Sequence, residues 1–165
     1  MPEKKTVQRA RQDAREGKSA STQAGEFVRE EMEHIREGKH GARSTKQAIA
    51  IGLSKARRAG VKLKPPGKGR ASQRTRTQAQ RDYAKGQKPR RATSRTRSRA
   101  TSGALRREGK SAASRQALSR HAHASAQRRG AADRRRAAQQ AARTKGPAGR
   151  RSAARKAART RAAKR

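Results

Sequence analysis

Large apolar side chains crowd the first third of the chain: Val7, Phe27, Val28, Met32, Ile35, Ile49, Ile51, Leu53, Val61 and Leu63. After residue 63 only Tyr83, Leu105 and Leu118 follow. Their spacing predicts helices. Val28, Met32 and Ile35 recur at i, i+4 and i+7 and share one face of a helix over 22–37. Ser21 or Thr22 can cap its first amides, and Gly38 can stop it. Ile49, Leu53 and Ala56 make the stripe of a helix over 45–59. That helix starts on the capping box Ser44-Thr45-Lys46-Gln47 and ends at Gly60, with Val61 positioned to cover its end. Ala48, Gly52, Ala56 and Ala59 form a strip of small residues beside the stripe, which suits close approach of another backbone. A weaker helix is expected over 6–16, ending at Gly17.

The connection from Gly38 to Arg43 is short, so the two stronger helices are expected to form an antiparallel hairpin. With so little apolar surface a hairpin is marginal alone. A homodimer, or a third helix from residues 6–16, is expected to complete it.

Between these elements runs a faint repeat. Arg15-Glu16-Gly17-Lys18, Arg36-Glu37-Gly38-Lys39 and Arg107-Glu108-Gly109-Lys110 share one tetrapeptide. A polar cap and a Gln-Ala pair follow each copy, at Gln23-Ala24, Gln47-Ala48 and Gln116-Ala117, so each reads as helix stop, turn and helix start.

Charge divides the chain again. Residues 1–63 hold 15 basic and eight acidic side chains, whereas residues 64–165 hold 33 basic side chains and only Asp82, Glu108 and Asp133. Pro65-Pro66-Gly67-Lys68-Gly69 opens a linker over 64–70. The remaining residues, 71–165, carry too few large apolar groups to offset chain entropy by the usual count. The expected fold is therefore a small all-α module, a helical hairpin or short three-helix unit over 1–63. A long, largely disordered basic tail follows. Two Ala/Arg-rich stretches, 131–143 and 151–159, are expected to become helical only on a polyanion.

That composition points to nucleic acid as the partner, with DNA ahead of RNA, bound through phosphates rather than base edges. The residues expected to carry it are Arg70, Arg74, Arg76, Arg90, Arg91, Arg95, Arg97, Arg99, Arg106, Arg107, Arg128, Arg129, Arg134, Arg135, Arg136, Arg150, Arg151, Arg155, Lys156 and Arg159. Arginine outnumbers lysine there and suits bidentate phosphate contact. With Phe27 assigned to the core and Tyr83 the other aromatic ring, base stacking on single strands is not expected.

No phosphate loop, nucleophile elbow or paired-acid constellation is present, so no enzyme activity, cofactor, metal or small-molecule substrate is expected. His34, His40, His121 and His123 read as ordinary surface histidines, and His121-Ala122-His123 makes a poor zinc site without cysteine. Glu26, Glu30, Glu33 and Glu37 read as a solvated acidic stripe, or as a dock for the basic tail. No apolar run approaches the ~18 residues of a membrane span, and the cytoplasm, at the nucleoid, is the expected location.

The run from Lys39 to Leu63, with Ser44-Thr45-Lys46-Gln47-Ala48-Ile49-Ala50-Ile51-Gly52-Leu53 at its centre, resembles an uncharacterised family of small basic bacterial proteins. Some of them are labelled plasmid-stabilisation or DNA-binding. The tail is similar in composition to the tails of linker histones and bacterial histone-like proteins. The resemblance implies a nucleoid- or plasmid-associated protein. An RNA- or ribosome-associated protein, or a protein-interaction module localised by its tail, is the alternative.

Overall fold

The computed structural model describes residues 2–88 and 94–163. Every regular element among them is helical: α1 (Lys4–Arg15), α2 (Ala20–Glu37), α3 (Thr45–Arg58), α4 (Gln73–Gly86), α5 (Arg95–Arg106), a 3-10 turn (Ser111–Ala113), α6 (Arg115–Arg128) and α7 (Ala131–Ala162). The chain divides into two compact units, Met1–His121 and Ala122–Arg165.

The first unit is organised by α2 and α3. Ala24 and Phe27 cluster with Ala56, Val28 meets Gly52, and Met32 clusters with Ala48. Late residues of α3 thus face early residues of α2, and the pair is antiparallel. The small-residue strip is where the two backbones close up: a Cβ on Gly52 would stand 2.7 Å from Val28 Cα. α1 completes a three-helix arrangement by setting Thr6 and Ala10 inward at i and i+4, with Ala10 against Phe27 and Ala24.

Local signals set the helix ends. α2 starts two residues before the expected 22, because Gly17 ends α1 at φ 69° and Ser19, in an extended conformation, takes the cap position. Ser19 Oγ accepts from Thr22 N at 3.3 Å. Gly38, at φ 79°, closes α2, with Lys39 N donating to His34 O at 3.0 Å. Ser44 Oγ accepts from Gln47 N at 3.2 Å, while Gln47 Oε1 reaches back to Arg43 N at 2.8 Å. Ser114 does the same for α6, accepting from Ala117 N at 3.1 Å. All three copies of the tetrapeptide therefore precede a serine-capped helix.

The expectation of a disordered, histone-like tail is overturned, and with it the picture of helices that wait for a polyanion. The tail is helical, and its first half is packed. Ala79 and Asp82 of α4 are buried, Ser54 Oγ donating to Asp82 Oδ2 at 2.7 Å. Gly86 lies so close to α3 that an added Cβ would collide with Arg57 O. Ala112 and Ala113 are buried among Met32, Ile35, Ala42 and Ala48, with Leu118 packed alongside. The reason is side-chain size. Alanine contributes little to a count of large apolar groups, yet it has the highest helix propensity and brings backbones close enough for dispersion and hydrogen bonds to accumulate.

Those hydrogen bonds are explicit. Gly41 N donates to Leu105 O at 2.8 Å and Ala42 N to Gly109 O at 3.0 Å. Thr45 Oγ1 donates to Ala112 O at 2.7 Å and Arg36 Nε to Ala113 O at 3.0 Å. The second and third copies of the repeat thus lie against each other.

The acidic stripe of α2 is also corrected. Glu33 and Glu37 are exposed, but Glu30 is buried and Glu26 half-buried, because α1 covers that half of the face. Glu26 pairs with Arg29 at 3.1 Å and Arg9 at 3.8 Å, and Glu30 Oε2 accepts from Glu3 N at 3.1 Å.

The second unit contains α7. No residue of α7 is buried. Gly146 interrupts it at φ 62° and ψ 177°, a conformation essentially restricted to glycine, and Pro147 follows as the first residue of the next helical piece.

Candidate nucleic-acid interface

The expected phosphate-binding residues fall in both units. Arg90 and Arg91 lie outside the described residues. Of the other eighteen, seventeen are exposed. The exception is Arg76 on α4, half-buried, whose Nη1 donates to Gln73 Oε1 at 3.0 Å.

In the first unit α5 supplies the clearest surface. It has no buried residue. Arg95, Arg99 and Arg106 follow one another at i, i+4 and i+11 and so share one face, while Arg97 points away from them. Arg107, just past the helix, is exposed, and so are Arg70 and Arg74 around the start of α4.

The second unit is more basic. Arg134, Arg135 and Arg136 are consecutive and wrap around α7, whereas Arg151, Arg155 and Arg159 line one face at i, i+4 and i+8. Successive members of that line rise about 6 Å along the axis. Arg150, beside the interruption, donates from Nε to Gly146 O at 3.4 Å. Arg134 Nη1 donates to Arg129 O at 3.1 Å, and Arg136 pairs with Asp133. Arg128, Arg129 and Lys156 are exposed. Arg143, Lys145 and Arg161 belong with them: they are equally exposed on α7 but were not among the expected residues.

Arg57 shows what exclusion from such a surface looks like. It is buried at the end of α3, its Nε donates to Leu63 O at 3.2 Å, and burial pushes its pKa below the ordinary value although Asp82 opposes the shift. The aromatic inventory is equally spoken for: Phe27 is buried in the core and Tyr83 half-buried on α4. What remains on the surfaces of α5 and α7 is almost entirely positive charge, with Asp133 the one acid, borne by forked donors suited to phosphate oxygens.

No helix among the described residues is long and apolar enough to cross a membrane. Residues 15–68 match a family of unknown function (DUF6496). The match contains α2 and α3 whole and ends in the Pro/Gly stretch before α4. No curated protein and no solved structure matches the chain.

Proposed function

We propose that this chain is a non-enzymatic nucleic-acid-binding protein that grips the phosphate backbone of duplex DNA, without reading sequence, through the exposed basic helices α5 and α7. The observation that carries the reading is α7: over Ala131–Ala162 it bears eleven lysine or arginine side chains against one acid, and buries none of its residues. A helix that is polar all round gains nothing from a core. Its arginines repel one another, and a polyanion turns that cost into attraction. In the first unit the α2–α3 pair with its partners α1 and α4 then acts as the folded body that carries α5. Residence at the nucleoid follows from DNA as the ligand.

The test is the salt dependence of binding. With fluorescent duplex DNA, log K should fall with log salt by roughly 0.9 per phosphate neutralised. Engagement of one-third of the α7 cations predicts that removing residues 131–165 makes the slope shallower by about 3. Scrambling the DNA sequence should leave affinity unchanged. An unaltered slope in the truncated chain refutes the role of α7. Tighter binding to structured RNA at equal salt reassigns the polymer.

A further inference from the structure

In a chain with only eleven acids, four carboxylates gather at one place. Glu31 on α2 is fully buried and Glu30 nearly so. Glu3, at the start of α1, and Glu37, at the end of α2, stand at the rim. Two ammonium groups serve all four. Lys55 Nζ lies 2.5 Å from Glu31 Oε2 and 3.6 Å from Glu30 Oε1, and Lys39 Nζ lies 2.9 Å from Glu37 and 3.3 Å from Glu3. Glu3 and Glu37 are in contact with water, so the burial cost falls on Glu30 and Glu31, which share the single ammonium of Lys55. One buried negative charge is left over, and burial of an uncompensated carboxylate is costly, so the cluster calls for a further positive charge.

Two histidines face this excess. His40 Nε2 stands 3.5 Å from Glu31 Oε1, a buried oxygen that accepts no hydrogen bond. His34, one turn after Glu31, meets His40 edge to face at 5.9 Å between ring centres. Ligand atoms of Glu31, His34 and His40 all lie within 4.8 Å of one another. Two neighbouring oxygen or nitrogen ligands of a tetrahedral zinc ion, each bonded at about 2.0–2.1 Å, are about 3.3 Å apart, so the Glu31–His40 edge is already near the required span.

The outer hydrogen bonds are those a metal site uses. His40 Nδ1 stands 3.1 Å from Gly41 O, so in the tautomer that carries its proton there Nε2 is the nitrogen open to a metal beside Glu31. His34 Nε2 is 2.9 Å from Glu3 Oε1, the carboxylate partner of that ring. Lys55 holds the other oxygen of Glu31 and leaves Oε1 as a monodentate donor.

From this arrangement we infer that Glu31, His34 and His40 form a divalent-metal site with a preference for Zn²⁺, a borderline-soft ion that accepts two imidazoles and one carboxylate. One divalent ion supplies that missing charge. It also ties the loop after α2 to the helix it leaves, and that loop is the one that hydrogen-bonds to Leu105 and Gly109.

The experiment is a ZnCl₂ titration of the full chain, stripped with chelator and followed by calorimetry and by imidazole NMR. One equivalent should bind with micromolar or tighter affinity. At a large excess over Kd it should raise Tm by roughly 5 °C or more. The resonances of His34 and His40 should shift and those of His121 and His123 stay. His34→Ala with His40→Ala, or Glu31→Gln alone, should weaken binding tenfold or more. His121→Ala with His123→Ala should leave it intact. The proposal is overturned if the unmodified protein takes up no zinc at millimolar concentration. It is equally overturned if zinc moves the His121 and His123 resonances instead. The NMR readout needs no substitution, so a variant that fails to fold does not obscure the result.

Discussion

Residues 73–113 and residues 131–162 are both rich in arginine and alanine and poor in large apolar groups. The first stretch buries Ala79, Asp82, Ala112 and Ala113, and the second buries nothing. Large apolar groups do not account for it, since Tyr83 and Leu105, the two in the first stretch, are not among its buried residues. The difference is what stands opposite each alanine. Ala112 and Ala113 meet Met32, Ile35, Ala42 and Ala48, and their own carbonyls accept from Thr45 and Arg36 respectively. The lesson is that a low-apolar sequence can join a core through small residues when the other side provides the bulk and the donors.

The most damaging way to break the packed half is at its closest approach. Gly52→Ile places a branched side chain where even one carbon would stand 2.7 Å from Val28 Cα. The expected cost is above about 4 kcal/mol, enough to abolish the cooperative melt followed by circular dichroism. Retention of a sharp transition would mean that α2 and α3 are not pressed together there.

A paired substitution sharpens the contrast directly. Ala113→Leu overpacks a site with no exposed surface and should lose about 2–3 kcal/mol in urea unfolding. Ala137→Leu, on exposed α7, should change stability by less than about 0.5 kcal/mol. Equal effects at the two positions would erase the distinction between the halves. Asp82→Ala comes next. It removes the acceptor of Ser54 Oγ and Gln78 Nε2 and the charge that faces buried Arg57, and should cost about 1–3 kcal/mol by the same measurement.

The smallest effect lies on the surface. Hydrogen bonds from Lys18 and then Gln12 hold the Glu16 carboxyl below its ordinary value of 4.5, and Asp13 and Glu16 in turn raise the Lys18 pKa. A depressed acid stabilises the fold above its ordinary pKa and loses that contribution as pH falls through the folded value. Glu16→Gln should therefore narrow, slightly, the difference in urea midpoint between about pH 6 and about pH 3. A widened difference would contradict the sign.

How much of this was readable in the residues follows from the same contrast. The ends of α3 were legible because Ser44, Gln47, Gly60 and Val61 act locally: Val61 N donates to Ala56 O at 3.1 Å, and Val61 is buried over the helix end. The order of the tail was not legible, since Ala112-Ala113 looks like any other alanine pair until Met32 and Ile35 are set against it. The basic surface could be read from charge alone: of the eighteen expected residues that the structure describes, only Arg76 is not exposed. The carboxylate–histidine cluster could not be read. Glu3 caps the start of α1, Glu31 lies on α2 and His40 in the following loop, and Glu31 is one of five glutamates in a single helix.

The interruption at Gly146 has a mechanical meaning. It leaves two basic rods of about 22–24 Å each, joined at a residue whose torsions no side chain constrains. A single straight rod meets a curved row of phosphates along one tangent. Two jointed rods can lie along two tangents, and once the first is seated the second searches only the small volume the joint permits, at an effective concentration far above that in solution. On the proposed reading, stiffening the joint would leave every arginine in place and still lower the avidity for a curved polyanion.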